Sequence, residues 1–272
     1  MQVLTQIDIS VEEFNLFKEY IYDNIGISLS DQKITLLRTR LNKRLRELNF
    51  TNFTEYYEYV KITPTEHTAL VSAISTNVTY FFREENHWKF LDKHLDSIIK
   101  DTKKLRIWSS ACSTGEEPYT IGMYLKEYFN SLAGYDMKIL ATDISHEAIK
   151  KAQKAQYSNE QVYDLPNHHI SNNFINIQDT NYHEVNTELK KLVMFRTFNL
   201  VYGNYNIFKK SKFNIIFCRN VLIYFDEETK EKVASNLANQ LEVGGYLFIG
   251  HSESLMTHKN LKYIAPSIYQ KK

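Results

Sequence analysis

Cysteine is nearly missing: Cys112 and Cys218 are the only two in 272 residues, too few for a disulfide framework and without the paired spacing of a zinc site. A reducing, cytoplasmic setting is therefore expected, with both thiols as small, half-buried core residues. Proline is scarce, at four residues, and no internal repeat or low-complexity tract is present. An excess of charge of one sign is also lacking. The 33 Lys and Arg against 32 Asp and Glu leave a formal net charge of +1, which argues against a dedicated nucleic-acid binder. Long apolar runs are missing too: charged or polar residues interrupt every hydrophobic segment between Val3 and Ile27, so no leader or membrane-inserting segment is expected there. What remains, 43% hydrophobic and 24% charged residues, is the balance of a soluble globular chain with length for one large domain or two modest ones.

Two helix starts mark the N-terminal quarter. Ser10-Val-Glu-Glu13 and Thr63-Pro-Thr-Glu66 both have the capping-box pattern, the second with Pro64 at the favoured first helical position. Between them Ile34, Leu37, Leu41, Leu45 and Leu48 recur at three or four residues and predict a helix ending near Asn49. Its other faces are basic, with Lys33, Arg38, Arg40, Lys43, Arg44 and Arg46 against Asp31 and Glu47. The helix therefore offers either a docking surface for an acidic partner, through Arg40, Lys43 and Arg44, or a plain solvated face.

After about Asn77 short apolar runs alternate with helical patterns. Leu105 to Ser110, Lys138 to Ile144, Phe213 to Cys218 and Tyr246 to Gly250 read as strands. Trp88, Leu91, Leu95 and Ile98 form a helical stripe before the first; Ile121, Leu125 and Phe129 follow it; Val233, Leu237 and Leu241 precede the fourth. This alternation is the signature of an α/β domain with a mainly parallel sheet and helices on both faces. The less regular interval from about 155 to 198, rich in Asn, His and Tyr, reads as an insertion with short antiparallel strands. The expected division is an all-α N-terminal domain over 1–75 and an α/β domain over 76–272.

In such a sheet ligands lie beyond the carboxyl ends of the strands. The stretch Trp108 to Pro118 runs from a strand through small residues into a helix; the small side chains let a ligand approach the backbone, and Gly115 permits a turn that other residues resist. Glu116 and Glu117 there suit either a ligand or the helix dipole. Asp143 closes the second strand, where a carboxylate can accept ribose hydroxyls, or can simply cap the next helix. The span Ser110 to Gly115 holds a single glycine, short of the Gly-x-Gly-x-x-Gly that a pyrophosphate needs; S-adenosylmethionine, which has no phosphate, does not require it. Arg219, Asn220 and Tyr224 follow the third strand, and Phe81, Phe82 and Arg83 place a cation beside an apolar wall; core packing and a surface ion pair are the alternatives.

Taken together, Thr76-Asn-Val-Thr-Tyr-Phe-Phe-Arg-Glu84, Ser113-Thr-Gly-Glu-Glu-Pro-Tyr119, Ala141-Thr-Asp143, Phe198-Asn-Leu200, Ile216 to Phe225 and Gly250-His-Ser-Glu253 resemble the chemotaxis receptor methyltransferases, the CheR family, in order along nearly the whole chain. The resemblance implies a Rossmann-like S-adenosylmethionine-dependent methyltransferase domain with a small antiparallel β insertion, preceded by an all-α domain. It implies a protein-glutamate O-methyltransferase acting on the cytoplasmic domain of chemoreceptors, with no metal. Asn77, Thr79, Arg83, Glu117, Asp143, Asn199, Leu200, Arg219 and Asn220 match the family's cofactor positions, Asp143 as the ribose ligand. Arg83 and Tyr224 match the pair nearest the transferable methyl. Cys112 stands where relatives often carry alanine, and the insertion is harder to match, which leaves docking of a receptor tail peptide open.

A glutamate with an ordinary pKa near 4.3 is already ionised at neutral pH, so its methylation needs no general base. Two rivals stand beside this reading: a methyltransferase of the same fold acting on another substrate, and a module that binds the cofactor without turnover. His168, His169 and His251 have no carboxylate or cysteine at ligand spacing in the sequence, and so read as core or surface histidines. The 19 tyrosines and 16 phenylalanines are scattered and read as packing, not as a stacking platform.

Overall fold

The computed structural model describes residues 6–99, 102–208, 212–255 and 258–272. It divides into two compact units: one runs to Thr76 and includes Tyr224–Thr229, and the larger comprises Asn77–Ile223 and Lys230–Lys272.

The N-terminal unit holds helices α1 (Val11–Ile25), α2 (Ile34–Glu47), α3 (Phe53–Ile62) and α4 (Pro64–Ile74). Both halves of the first capping box form: Ser10 Oγ accepts from the Glu13 N–H at 3.1 Å, and Glu13 accepts from the Ser10 N–H at 2.9 Å. The chain leaves α1 through Gly26 at φ 87°, a left-handed cap that glycine adopts without steric cost. Apolar faces meet in a core of Phe14, Phe17, Ile21, Leu41, Leu45 and Phe53, each at most 2% exposed.

The second expected capping box does not form. Thr63 makes no side-chain cap bond, and Glu66 turns inward, where it accepts from Arg44 at 3.0 and 2.6 Å and from the Tyr56 hydroxyl at 2.7 Å. A forked guanidinium bond to a buried carboxylate outweighs a single backbone cap. The basic face of α2 is correspondingly reduced. Arg44 is held by Glu66; Arg40 donates to the Ile74 carbonyl and to Thr76 Oγ1; Arg38 pairs with Asp8 at 2.7 Å. Of Arg40, Lys43 and Arg44, only Lys43 stays largely in water, its side chain 77% exposed.

The larger unit opens with α5 (Glu85–Ile99) and β1 (Lys104–Ser109), then α6 (Glu116–Phe129), β2 (Asp136–Asp143) and α7 (His146–Lys154). Next come β3 (Gln156–Ser158), α8 (Asn159–Val162), α9 (Asn167–Asn173), β4 (Phe174–Asn176), β5 (Tyr182–Val185), α10 (Thr187–Leu192) and β6 (Val193–Thr197). The chain finishes with β7 (Phe213–Cys218), α11 (Glu227–Gln240), β8 (Leu241–Ile249), β9 (Leu261–Ala265) and β10 (Ile268–Lys271). Seven strands form one sheet in the order β6-β2-β1-β7-β8-β10-β9. The first five are parallel, with Ile107 opposite both Ile139 and Ile215, and β10 runs antiparallel to β8 and β9. Leu91, Leu95, Ile107, Ile121, Leu125 and Phe217 pack together in the core on one side of the sheet.

A small antiparallel sheet, β3-β5-β4, occupies residues 156–185. The rest of the interval read as an insertion behaves differently: residues 193–197 form β6, the edge of the large sheet, parallel to β2. No helix among the described residues is long and apolar enough to cross a membrane.

Candidate active site

The chain leaves β1 for β2 on one side and returns to β7 on the other, so the carboxyl ends of β1, β2 and β7 frame a topological switch point. The loop after β1 is tied to both neighbours. The Ser110 N–H donates to the Phe217 carbonyl, and the Cys112 N–H to the Thr142 carbonyl, each at 2.8 Å. Beside it, Asp143 accepts the Ser113 and Ser145 N–H groups at 2.8 Å each. Burial raises the Asp143 pKa, and these backbone donors offset part of that. The Ser113 hydroxyl in the same loop is buried with no protein partner, an orphan that a ligand would satisfy.

Gly115, at φ 101°, begins α6. That left-handed turn is the one expected of it from the sequence, and its missing side chain also serves packing: a Cβ there would lie 2.7 Å from the Tyr157 hydroxyl and 2.9 Å from Ala152 Cβ. Tyr157 in turn donates to the Thr114 carbonyl at 2.9 Å. The small antiparallel sheet thereby steadies the loop.

At the end of β7, Arg219 is 6% exposed and bridges two carboxylates. Its Nε donates to Glu84 and its Nη1 to Glu117, each at 3.1 Å, while Nη2 donates to the Arg83 carbonyl. Ser109 gives Glu117 a further hydroxyl bond at 2.6 Å. Burial raises the Glu117 pKa, with Arg219 and Ser109 only partly offsetting it. For Glu84 burial also pushes upward, but Arg219 and the His251 backbone N–H outweigh it and hold this carboxyl below its usual range. Glu84 additionally accepts from Asn220 Nδ2 at 3.3 Å.

His87, one turn into α5, is wholly buried and neither ring nitrogen has a hydrogen-bond partner. Burial, helped by the nearby Arg219 charge, lowers its pKa to about 3. Because the folded pKa lies below the unfolded value near 6.5, the unfolded state binds the extra proton. His87 therefore contributes stability that is full above about pH 6.5 and is lost as pH falls toward 3. Urea midpoints measured across that window should fall with acidification, and less steeply in His87→Leu.

Glu253 anchors the neighbouring loop. It is 8% exposed and accepts backbone N–H bonds from Gly250 at 2.6 Å, Asn220 at 2.9 Å and Ile223 at 3.2 Å, with Leu222 also donating. Asn220 itself sits at φ 56°, a strained position for a side-chain-bearing residue that these bonds over-determine.

Residues 12–75 match the family described as "CheR methyltransferase, all-alpha domain", and residues 77–269 match "CheR methyltransferase, SAM binding domain". The chain belongs to the CheR methyltransferase family. The chemotaxis protein methyltransferase of Borreliella burgdorferi is 39% identical over 275 residues, which cover 97% of this chain and 96% of that relative. The chemotaxis protein methyltransferase of Escherichia coli K12 is 34% identical over 260 residues, 93% and 88% of the two chains. Like its family, this CheR chain is an S-adenosylmethionine-dependent methyltransferase with an all-α domain and a Rossmann-like domain.

The residues present suit that cofactor. The sulfonium and ammonium outnumber its one carboxylate, and the strand ends offer Asp143, Glu117 and Glu84 against the guanidinium of Arg219, with Ser113 Oγ unpartnered. Of the remaining positions expected from the sequence, Asn199 and Leu200 follow β6. Asn199 Oδ1 caps the Val201 and Tyr202 N–H groups at 2.7 and 3.1 Å; Leu200 is buried, and its carbonyl accepts the Tyr205 hydroxyl. The Phe198 N–H donates to the Asp143 carbonyl at 3.0 Å, which brings this segment beside Asp143. Asn77 is exposed and Thr79 half-buried, both in the segment that leads to Arg83. Arg83 donates to the Val78 carbonyl at 3.0 Å and lies 5.5 Å from the centre of the Tyr80 ring. Tyr224 belongs with the N-terminal unit, where its carbonyl accepts the Ser28 N–H at 2.8 Å.

Three residues at the strand ends escaped the sequence reading. All three stood inside recognised motifs, but the partners of Glu84 and Glu253 are far away in sequence, and only folding shows that the Ser113 hydroxyl is buried without a partner.

Proposed function

We propose that this CheR chain transfers the methyl group of S-adenosylmethionine to glutamate γ-carboxylates on the cytoplasmic helices of chemoreceptors, giving methyl esters and S-adenosylhomocysteine. The observation that carries the carboxylate acceptor is the state of the buried titratable groups. Glu84 and Glu117 are both engaged by Arg219, Asp143 by backbone N–H groups, and His87 has its pKa depressed to about 3, too low for an effective base at neutral pH. An acceptor that is already ionised has no need of one.

The cofactor, when bound, supplies a methyl on a sulfonium cation. Transfer to a carboxylate discharges both partners, so exclusion of water and alignment supply most of the rate, about 7–11 kcal/mol in favourable cases. In this reading Asp143 accepts the ribose hydroxyls and Glu117 the ammonium; Arg83 holds the cofactor's carboxylate, a better use than clamping and weakening the nucleophile. Asn77, Thr79, Asn199, Leu200 and Asn220 complete the binding set, Arg219 orients Glu117, and Tyr224 orients the acceptor. The enzyme is proposed to work in the cytoplasm. Lys43, the expected docking residue still in water, adds an attraction to an acidic receptor helix.

The test is transfer of tritium from methyl-labelled cofactor into receptor-containing membranes. Label released by mild base as volatile methanol is expected; base-stable label would identify nitrogen or carbon as the acceptor and overturn the proposal. In the same assay Arg83→Ala should weaken cofactor binding, whereas Tyr224→Phe should lower turnover with cofactor affinity kept.

A further inference from the structure

The sequence offers no carboxylate at ligand spacing from His168 and His169, yet folding supplies one. These histidines open α9, and Glu127 reaches them from the last turn of α6. His168 Nε2 lies 3.7 Å from Glu127 Oε1, and His169 Nε2 lies 3.5 Å from Glu127 Oε2, with all three donor groups inside 4.8 Å of one another. Both distances exceed good hydrogen bonds. They are close to another standard: zinc held tetrahedrally at about 2.0–2.2 Å from nitrogen and oxygen places its ligand atoms roughly 3.3 Å apart. The two distances end on different oxygens of the Glu127 carboxylate, so a small rotation of this exposed side chain, or binding through both oxygens, would bring the three donors round one ion.

The surroundings favour a cation there. The His169 ring is already fixed, its side chain 11% exposed and its centroid 4.6 Å from that of Phe82, whose N–H is held by Thr120 Oγ1 at 3.1 Å. The His168 and Glu127 side chains are each 59% exposed, which leaves an entry path and room for water ligands. Lys126, the neighbouring cation on α6, is drawn to Glu188 at 2.8 Å and the Asn172 carbonyl at 3.1 Å. A second group of similar composition, Glu84, His87 and His251, differs in this respect: the Arg219 guanidinium sits 3.1 Å from its carboxylate and opposes an ion.

We propose that Glu127, His168 and His169 form a binding site for a divalent transition-metal ion, Zn2+ above all, with water filling the open positions. Two imidazoles and one carboxylate are the borderline donor set that selects zinc, copper or nickel over magnesium and calcium. None of the three is among the residues assigned to methyl transfer, and the proposal does not depend on that assignment. Calorimetric titration of the full chain with Zn2+, and the visible spectrum on titration with Co2+, test it. The wild type is expected to take up one Zn2+, and to give tetrahedral Co2+ bands that Zn2+ displaces. Glu127→Gln and His168→Ala, both at exposed positions, should each weaken binding by about 10–100-fold or more, since loss of even an outer-shell partner has that effect. His251→Ala should leave affinity unchanged. Absence of uptake by the wild type, unaltered affinity in the two ligand variants, or loss of binding in His251→Ala would overturn the proposal.

Discussion

Arg219→Met is expected to destabilise the enzyme by about 3–5 kcal/mol, because it leaves two buried carboxylates without their shared cation. The Arg219 side chain is 3% exposed, and those of Glu84 and Glu117 are 8% and 10% exposed, so water cannot take over its role. Urea unfolding monitored by circular dichroism reads the loss as a lower midpoint. Adding Glu84→Gln and Glu117→Gln should recover a substantial part of it, since the penalty is the unpaired charge and not the missing stem. Recovery of stability without recovery of cofactor binding would identify the carboxylates as ligands as well as partners. A midpoint unchanged by Arg219→Met would contradict the pairing itself.

Glu253→Ala should rank next, at about 3 kcal/mol or more. It removes the acceptor shared by the N–H groups of Gly250, Asn220, Leu222 and Ile223; a buried donor left unsatisfied costs about 1–3 kcal/mol, which applies in full to Gly250 and in part to the half-buried bonds of Asn220 and Ile223. Glu253→Gln keeps one acceptor oxygen but turns an amide toward N–H groups, so an intermediate midpoint is expected. Under conditions where Glu253→Gln is folded, turnover should fall more than cofactor affinity, because the loop it anchors runs on through Leu222 to Tyr224. Equal loss in both quantities would assign Glu253 a purely structural role.

The parts of the fold that the sequence discloses are those whose burial writes a pattern. The strands β1, β2, β7 and β8 are buried on both sides in their C-terminal parts, where they read as short apolar runs that stand out. Edge strand β6 escapes because Met194 and Arg196 face outward in a five-residue segment that resembles its polar surroundings. β9 and β10 pair antiparallel in a tail of lysines and tyrosines and carry little alternation. The Thr63 capping box shows the opposite failure, a local pattern overridden by a tertiary partner, since Glu66 gains a forked bond from Arg44.

For the candidate site, Glu117, Asp143 and Arg219 were legible because the chemistry of an α/β sheet gathers at strand ends and six motifs matched one family in order. The electrostatic bridge was not. Glu84 and Arg219 are 135 positions apart, and only folding shows that the arginine orients acids more than it meets solvent. The same holds for Glu127 and the two adjacent histidines, where a site rejected on linear spacing is assembled by packing α9 against α6.

Titration of the folded enzyme with S-adenosylhomocysteine, for the wild type and Asp143→Asn side by side, tests most directly whether the strand ends hold the donor. Tight binding by the wild type, weakened about 100-fold or more by loss of a charged acceptor for hydrogen-bonded hydroxyls, is the expected result. Equal affinity in the two proteins would contradict it and place the nucleoside elsewhere.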